Sequence, residues 1–262
     1  MNIIIFSKNR PAQLELLLRS YKRFFKEWKE QEVYIILYSD KEYFKGYEKT
    51  INLYPEISFV PETTFKKDVM AIMSNDQELT AFGCDDDVFI KPVSVKDKQF
   101  KQFKKDKDIL CLNLRMGQNY NYAFDTDEYV SVPDFDNDTW QWEYYTKDWN
   151  YPMGTIFHIY RTKQIKKLLE GLEFTGPNTM EGQMAENPLS QPKMICYKEA
   201  RTINIPLNLV QDVAPQNRAA NISPESLNKE FMKGNIISLN NIIKRKFKSC
   251  FAIVKPRWVT KE

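Results

Sequence analysis

The sequence predicts an α/β fold: a mixed central sheet with helices on both faces and a helical extension at its C-terminal end. Three observations carry this expectation. Short apolar runs alternate with helical amphipathic periodicity through residues 1–90, the βαβα order of a parallel sheet with right-handed crossovers. One of those runs ends in three adjacent carboxylates, Asp85, Asp86 and Asp87, followed at once by Val88-Phe89-Ile90. No apolar stretch reaches the length of a membrane span.

The elements follow in order. Residues 2–7 read as a buried strand, and Pro11 suits the first position of a helix whose apolar face is Leu14, Leu17, Leu18, Tyr21, Phe25 and Trp28. Residues 33–38 form the next strand, ending at Ser39-Asp40, and Tyr43, Phe44, Tyr47 and Ile51 predict one face of a second helix. Residues 57–60 are a third strand, and Thr64 is placed to cap a helix carrying Phe65, Val69 and Ile72. The strand ending in the aspartates comes next. Beyond it the order becomes mixed: a lysine-rich helix over residues 95–105, a strand over 109–115, an acidic aromatic excursion over 118–149, a strand over 154–160, a helix over 162–169 and a strand region over 193–205. The tail from Pro224 reads as helical and basic. These elements divide into a domain over residues 1–222, in two halves (1–92 and 93–222), and a basic helical extension over 223–262.

A chain of 262 residues can bury a sizeable core. A net charge of +3 from 38 basic and 35 acidic residues lacks the basic stripe of a nucleic-acid binder. The 4 cysteines form no CxxC pair, which argues against a zinc ribbon or a redox motif and for reduced thiols. The short Ile3-Ile4-Ile5-Phe6 run is no signal-peptide core, so the expected location is cytoplasmic.

Adjacent like charges beside a hydrophobic strand need compensation. Solvation in a surface loop is the plain explanation; a divalent cation at the carboxyl edge of the sheet, where open α/β sheets bind ligands, is the sharper one. The aspartates, with Asp40 and the turn Ser7-Lys8-Asn9-Arg10, have the chemistry to hold a nucleoside diphosphate. Asp40 would reach the base or ribose, residues 7–10 would form the near wall, and the cation would neutralise charge on the leaving diphosphate.

Those residues resemble the GT-A nucleotide-sugar glycosyltransferases, especially the bacterial family-2-like group. The likeness rests on Ile3-Ile4-Ile5-Phe6-Ser7-Lys8-Asn9-Arg10-Pro11, on Asp40, and on Asp85-Asp86-Asp87 as the DXD motif. Further along it includes Leu112-Asn113-Leu114-Arg115-Met116-Gly117, Tyr151-Pro152-Met153-Gly154 and Asn208-Leu209-Val210-Gln211 with Asn217-Arg218. It implies a Rossmann-like GT-A fold, Mn²⁺ or Mg²⁺ as cofactor, a UDP-sugar donor, a saccharide or lipid-linked acceptor, inverting hexosyl transfer and a place in surface polysaccharide biosynthesis. Carried over, Asp87 is the metal ligand, Asp85 the ribose or second metal contact, and Asp86 the reserve for either. Glu181, in Asn178-Thr179-Met180-Glu181-Gly182-Gln183, stands where inverting relatives place their general base, although those relatives commonly show an acidic pair there and this chain has Met180-Glu181. Glu186 and Asp148 are the reserves, and Gln211 and Asp212 stand where such enzymes supply a further metal or diphosphate contact.

Arg115 reads equally as a phosphate ligand or as the partner of an acidic neighbour. The sole histidine, His158, reads as a hydrogen-bonded structural residue before a metal ligand, on the acceptor side. Trp140, Trp142, Tyr144, Tyr145 and Trp149 suit either an aromatic subcore or stacking on acceptor sugar rings. Residues 244–248, Lys-Arg-Lys-Phe-Lys, with Phe251 and Trp258, read first as a solvated helix face and second as a peripheral contact with the inner face of a membrane. The alternative to a transferase is a non-catalytic nucleotide- or glycan-binding protein on the same scaffold. A sugar nucleotidylyltransferase ranks lower, because the turn after the first strand has no glycine to cradle a triphosphate.

Overall fold

The structure is a computed structural model and describes residues 1–210 and 218–261. The first half alternates as the apolar pattern requires: β1 (Asn2–Lys8), α1 (Pro11–Phe24), β2 (Glu32–Tyr38), α2 (Phe44–Leu53), β3 (Ser58–Pro61), α3 (Phe65–Ile72) and β4 (Leu79–Cys84). Then come β5 (Asp87–Phe89), α4 (Lys98–Lys105), β6 (Ile109–Gly117) and three short strands, β7 (Tyr122–Ala123), β8 (Glu128–Tyr129) and β9 (Thr139–Gln141). The second half continues with β10 (His158–Arg161), α5 (Thr162–Glu170), α6 (Pro177–Glu186), β11 (Lys193–Tyr197) and β12 (Thr202–Asn204). The extension holds α7 (Pro224–Met232), β13 (Ile236–Ile237), α8 (Leu239–Ile243) and β14 (Trp258–Val259).

The central sheet has 8 strands in the order β3-β2-β1-β4-β10-β6-β11-β9. It is mostly parallel; β10 runs antiparallel between β4 and β6, and β9 antiparallel to β11. Successive side chains of a strand point to opposite faces, and β1 shows the result. Ile4 and Phe6 pack with Phe65 and Val69 of α3, Ile165 of α5 and Met180 and Met184 of α6. Ile3 and Ile5 pack with Leu14, Leu17, Leu18 and Tyr21 of α1 and Phe100 and Phe103 of α4. A strand buried on both faces must read as a continuous apolar run, as residues 3–6 do.

A third apolar cluster joins Ala12 and Leu16 of α1, Val88 of β5 and Ile203 of β12 to Leu227, Phe231, Ile237 and Ile242 of the extension. The extension is thus packed onto the outer side of α1 and the strands that follow the aspartates.

Four expectations change. In α2 the inward line is Tyr43, Tyr47, Thr50 and Tyr54, while Phe44 (58% exposed) and Ile51 (37%) face outward. The strand expected over 154–160 begins only at His158, because Phe157 has φ +44°, which breaks the extended run. Residues 193–205 are two strands in different sheets: β11 beside β6, and β12 antiparallel to β5. The tail is two short helices and a β-ribbon. Lys244, Arg245, Lys246 and Lys248 are exposed in the turn after α8, and Phe247, Phe251 and Trp258 pack inward. No helix among the described residues is long and apolar enough to cross a membrane.

Candidate functional site

The carboxyl ends of β1 and β4 lie side by side, since β1 pairs in parallel with β4 from Asn2↔Thr80 to Phe6↔Cys84. This register brings the turn after β1 onto the aspartate triplet. Ser7 Oγ donates to Asp85 Oδ2 at 2.9 Å, and the Lys8 amide donates to the same oxygen at 3.2 Å. Asn9 adopts φ +57°, a conformation asparagine tolerates, and so turns the chain from β1 into α1. Its side chain and Asp40 are reciprocal partners: Asn9 Nδ2 donates to Asp40 Oδ2 at 2.6 Å, and the Asp40 amide donates to Asn9 Oδ1 at 2.8 Å. Asp40 itself is exposed beside this turn.

The turn aims Arg10 at the triplet. Its Nη1 donates to Asp85 Oδ1 at 2.9 Å and to Asp86 Oδ2 at 3.1 Å, while Nε and Nη2 donate to the side-chain and backbone oxygens of Asn208 at 2.7 and 2.5 Å. Burial opposes the charge on Arg10, but Asp85 and Asp86 outweigh it and hold the guanidinium charged. Burial pushes the Asp85 carboxyl up to about 6 against the pull of Arg10, with Asp86 adding to the rise. Asp87, completely buried, is pushed well above the usual carboxylate range by burial and by Asp86.

Asp87 faces inward from β5. Its Oδ2 accepts from the Cys84 amide at 2.9 Å and its Oδ1 from Asn204 Nδ2 at 2.9 Å, and the same amide donates to Asp86 Oδ1 at 2.8 Å. Both oxygens of each aspartate therefore accept a hydrogen bond from the protein. The carboxylates are the hard donors that Mn²⁺ or Mg²⁺ prefers. As arranged they do not fit such an ion, because the cation between Asp85 and Asp86 is Arg10 and Asp87 is turned inward onto the Cys84 amide and Asn204. Among the described residues no group of three or more His, Cys, Asp or Glu side chains is set to hold a metal ion.

A second polar group lies across the end of β4. Glu181, in the second turn of α6, accepts a hydrogen bond from Thr155 Oγ1, and burial together with Glu181 raises the pKa of the Tyr151 hydroxyl. The Cys84 thiol lies between the two groups: burial raises its pKa, with Asp87, Asp86, Glu181 and Asp85 acting in the same direction. Arg115, at the end of β6, is the partner of an acidic neighbour, with Nη2 2.8 Å from Asp148 Oδ1. Its Nε is buried without a hydrogen-bond partner among the described residues, and the rings of Tyr151 and Phe251 lie 5.6 and 5.3 Å from its guanidinium carbon. Glu186 ends α6 on the exposed side, bonded to Gln183.

His158 is completely buried. Its Nε2 lies 2.9 Å from Asn113 Nδ2, which can only donate, so Nδ1 carries the proton and donates to the Ile156 carbonyl at 3.2 Å. Burial pushes its pKa down to about 3, with Arg115 adding to the drop. The ring is neutral and enclosed within the sheet. Trp149 is 1% exposed and packs edge-on to Trp140 at 5.2 Å, which makes it part of an aromatic subcore with Phe135; only Tyr144 of the aromatic group is strongly exposed. Gln211 and Asp212 lie outside the described residues.

Sequence reasoning missed Tyr47, Asn204, Tyr151 and Thr155 as site residues. Tyr47 accepts from the Arg10 amide at 3.0 Å and bonds Ser7 at 2.7 Å, yet its helical spacing marked it only as core. Asn204 reaches the triplet because β12 pairs with β5, a long-range register that no local pattern announces.

No family model matches the sequence. It is similar to the bifunctional glycosyltransferase pgtA of Dictyostelium discoideum, 23% identical over 298 aligned positions that take in 92% of this chain and 38% of the relative. The chain therefore spans well under half the length of that relative. Similar solved structures include a cytidylyltransferase from Leptospira borgpetersenii (TM-score 0.46, 12% identity, 95% of this chain and 90% of the other). They also include a mannosyltransferase from Pyrobaculum calidifontis in complex with GDP-Man and Mn²⁺ (TM-score 0.42, 9% identity, 76% and 54%) and TarS residues 1–349 from S. aureus (TM-score 0.42, 16% identity, 77% and 60%).

Proposed function

We propose that this chain is a glycosyltransferase that takes a sugar from a nucleotide-sugar, first a UDP-sugar, and passes it to a saccharide hydroxyl with inversion. The observation that carries the proposal is that Cys84, at the end of β4, is acted on electrostatically by both the aspartate triplet, tied to Ser7 and Arg10, and Glu181, tied to Thr155. The similarity along 92% of the chain to a glycosyltransferase supports it.

In this reading the nucleotide lies over the carboxyl edge of β1 and β2, with Asp40 and Asn9 on the base or ribose and the diphosphate near Arg10. Glu181, held by Thr155, takes the proton from the acceptor hydroxyl as its oxygen bonds the anomeric carbon. The bond from that carbon to the diphosphate breaks, and its electron pair leaves with the nucleotide. No step is assigned to Mn²⁺ or Mg²⁺, since the Arg10 guanidinium holds the place between Asp85 and Asp86. The acceptor is a free or lipid-linked saccharide, with surface polysaccharide assembly as the setting, and the exposed Lys244–Lys248 turn offers anionic membranes a purely electrostatic contact.

The test is a Glu181→Gln variant assayed for UDP binding and for sugar transfer across an acceptor panel. Nucleotide binding is expected to persist while transfer falls roughly 10²- to 10⁴-fold. Full turnover by the variant removes Glu181 as the base; binding without transfer or donor hydrolysis by the wild type favours a non-catalytic binding protein.

A further inference from the structure

The charge at the triplet has a compensating partner within the chain. Arg10 is almost fully enclosed, and its guanidinium touches Asp85, Asp86 and Asn208, where a hard cation would have to sit to bridge the first two carboxylates. Four connections fix it there: the αL turn at Asn9, the Tyr47 hydroxyl on its amide, and both oxygens of Asn208. Asn208 is itself held by Gln13 Nε2 at 3.3 Å. A fork clamped on both sides is a rigid cation, unlike a lysine, whose single ammonium cannot bridge and anchor together. Among the described residues Arg10 is the cation paired with Asp85 and Asp86. The third carboxylate, Asp87, is turned into the protein against Cys84 and Asn204.

We infer that Arg10 is the resident cation of the aspartate triplet, and that a nucleoside diphosphate is bound here without a divalent metal ion. The inference deepens the donor-site reading and rests on it for the nucleotide. A metal could reach Asp85 and Asp86 only by breaking the two hydrogen bonds from Nη1 and leaving a buried guanidinium half unpaired, which is costly.

The experiment uses the full chain and calorimetric titration with UDP, GDP and CDP, once with Mn²⁺ and once after chelation with EDTA. The nucleotide that binds is expected to do so with affinities agreeing within about 3-fold in the two conditions, a difference of under about 0.7 kcal/mol. Arg10→Gln should weaken binding at least ~10-fold in EDTA and regain it with Mn²⁺, because the freed oxygens of Asp85 and Asp86 suit a hard cation. Wild-type binding that disappears with EDTA and returns with Mn²⁺ overturns the inference. If Arg10→Gln is unfolded by circular dichroism, the wild-type chelation pair still decides. If no nucleotide binds in either condition the donor reading fails, and Mn²⁺ titration of the wild type followed by electron paramagnetic resonance decides the role of Arg10. Uptake of one ion per chain overturns it; an unaltered free-ion signal supports it.

Discussion

His158 shows how much one enclosed side chain can govern. In an unfolded chain an imidazole titrates near about 6.5, whereas burial holds this ring neutral down to about pH 3. As the pH falls below about 6.5 the unfolded state takes up a proton that the folded state refuses. Stability from this residue is complete above that pH and declines until the ring protonates near pH 3. Asp85 acts in the opposite sense: its folded pKa, pushed up to about 6, lies above the unfolded value, so its unfavourable contribution is present above pH 6 and fades as the pH falls toward about 4. A His158→Gln variant is expected to flatten the loss of thermal stability between pH 6.5 and 4, read by scanning calorimetry at several pH values; an acid limb as steep as the wild type's would assign the slope to other groups. Asp85→Asn should do the reverse and steepen that limb. The sequence marked His158 as structural from its alternation with Ile and Tyr, but its partner Asn113 belongs to a distant segment and left no local trace.

At the scale of the element, glycines separate close approach from open helix. Gly117 ends β6 where a Cβ would stand 2.3 Å from the Ala200 backbone nitrogen, and backbone cannot turn aside as a flexible side chain can. Gly182, inside α6, has nothing within 4 Å. Gly117→Ala is expected to cost about 1–3 kcal/mol, and Gly182→Ala to add about 0.5–1 kcal/mol by removing the entropic penalty of a helical glycine. Urea midpoints measure both, and a stabilised Gly117→Ala chain would contradict the contact. Such elements were unequally legible. The βα alternation through Asp87 could be read because buried parallel strands leave runs such as Ile3-Ile4-Ile5-Phe6 and helices leave Leu14, Leu17, Leu18 and Tyr21. In α2 the polar Thr50 takes an inward position and Phe44 an outward one, so hydrophobicity misplaced the face. The site was half legible for the same reason: charges at strand ends stand out, whereas Asn204 and Thr155 acquire their roles from pairing and packing.

At the scale of the whole molecule, the extension after residue 222 shares a core with the rest. Leu227, Phe231, Ile237, Leu239 and Ile242 cover Leu16, Val88, Ile90, Ile203 and Ile205. Polar ties reinforce the cover: the Asn204 amide donates to the Cys250 carbonyl at 3.0 Å, the Ala252 amide donates back to Asn204 at 3.0 Å, and Tyr43 donates to Glu225 at 2.7 Å. Asn204 is the residue that holds Asp86 and Asp87, so these ties run directly from the extension into the triplet. Uncovering five large apolar side chains at roughly 1.5–3 kcal/mol each costs about 10 kcal/mol, comparable with the whole stability of an ordinary domain. A chain ending at residue 222 is therefore expected to lose cooperative unfolding, to bind the dye ANS and to be cleaved rapidly by protease. A sharp transition within about 5 °C of the full chain's Tm would show instead that the extension is a separable addition, because the loss of even ~1 kcal/mol shifts Tm by a few degrees in a protein of this size.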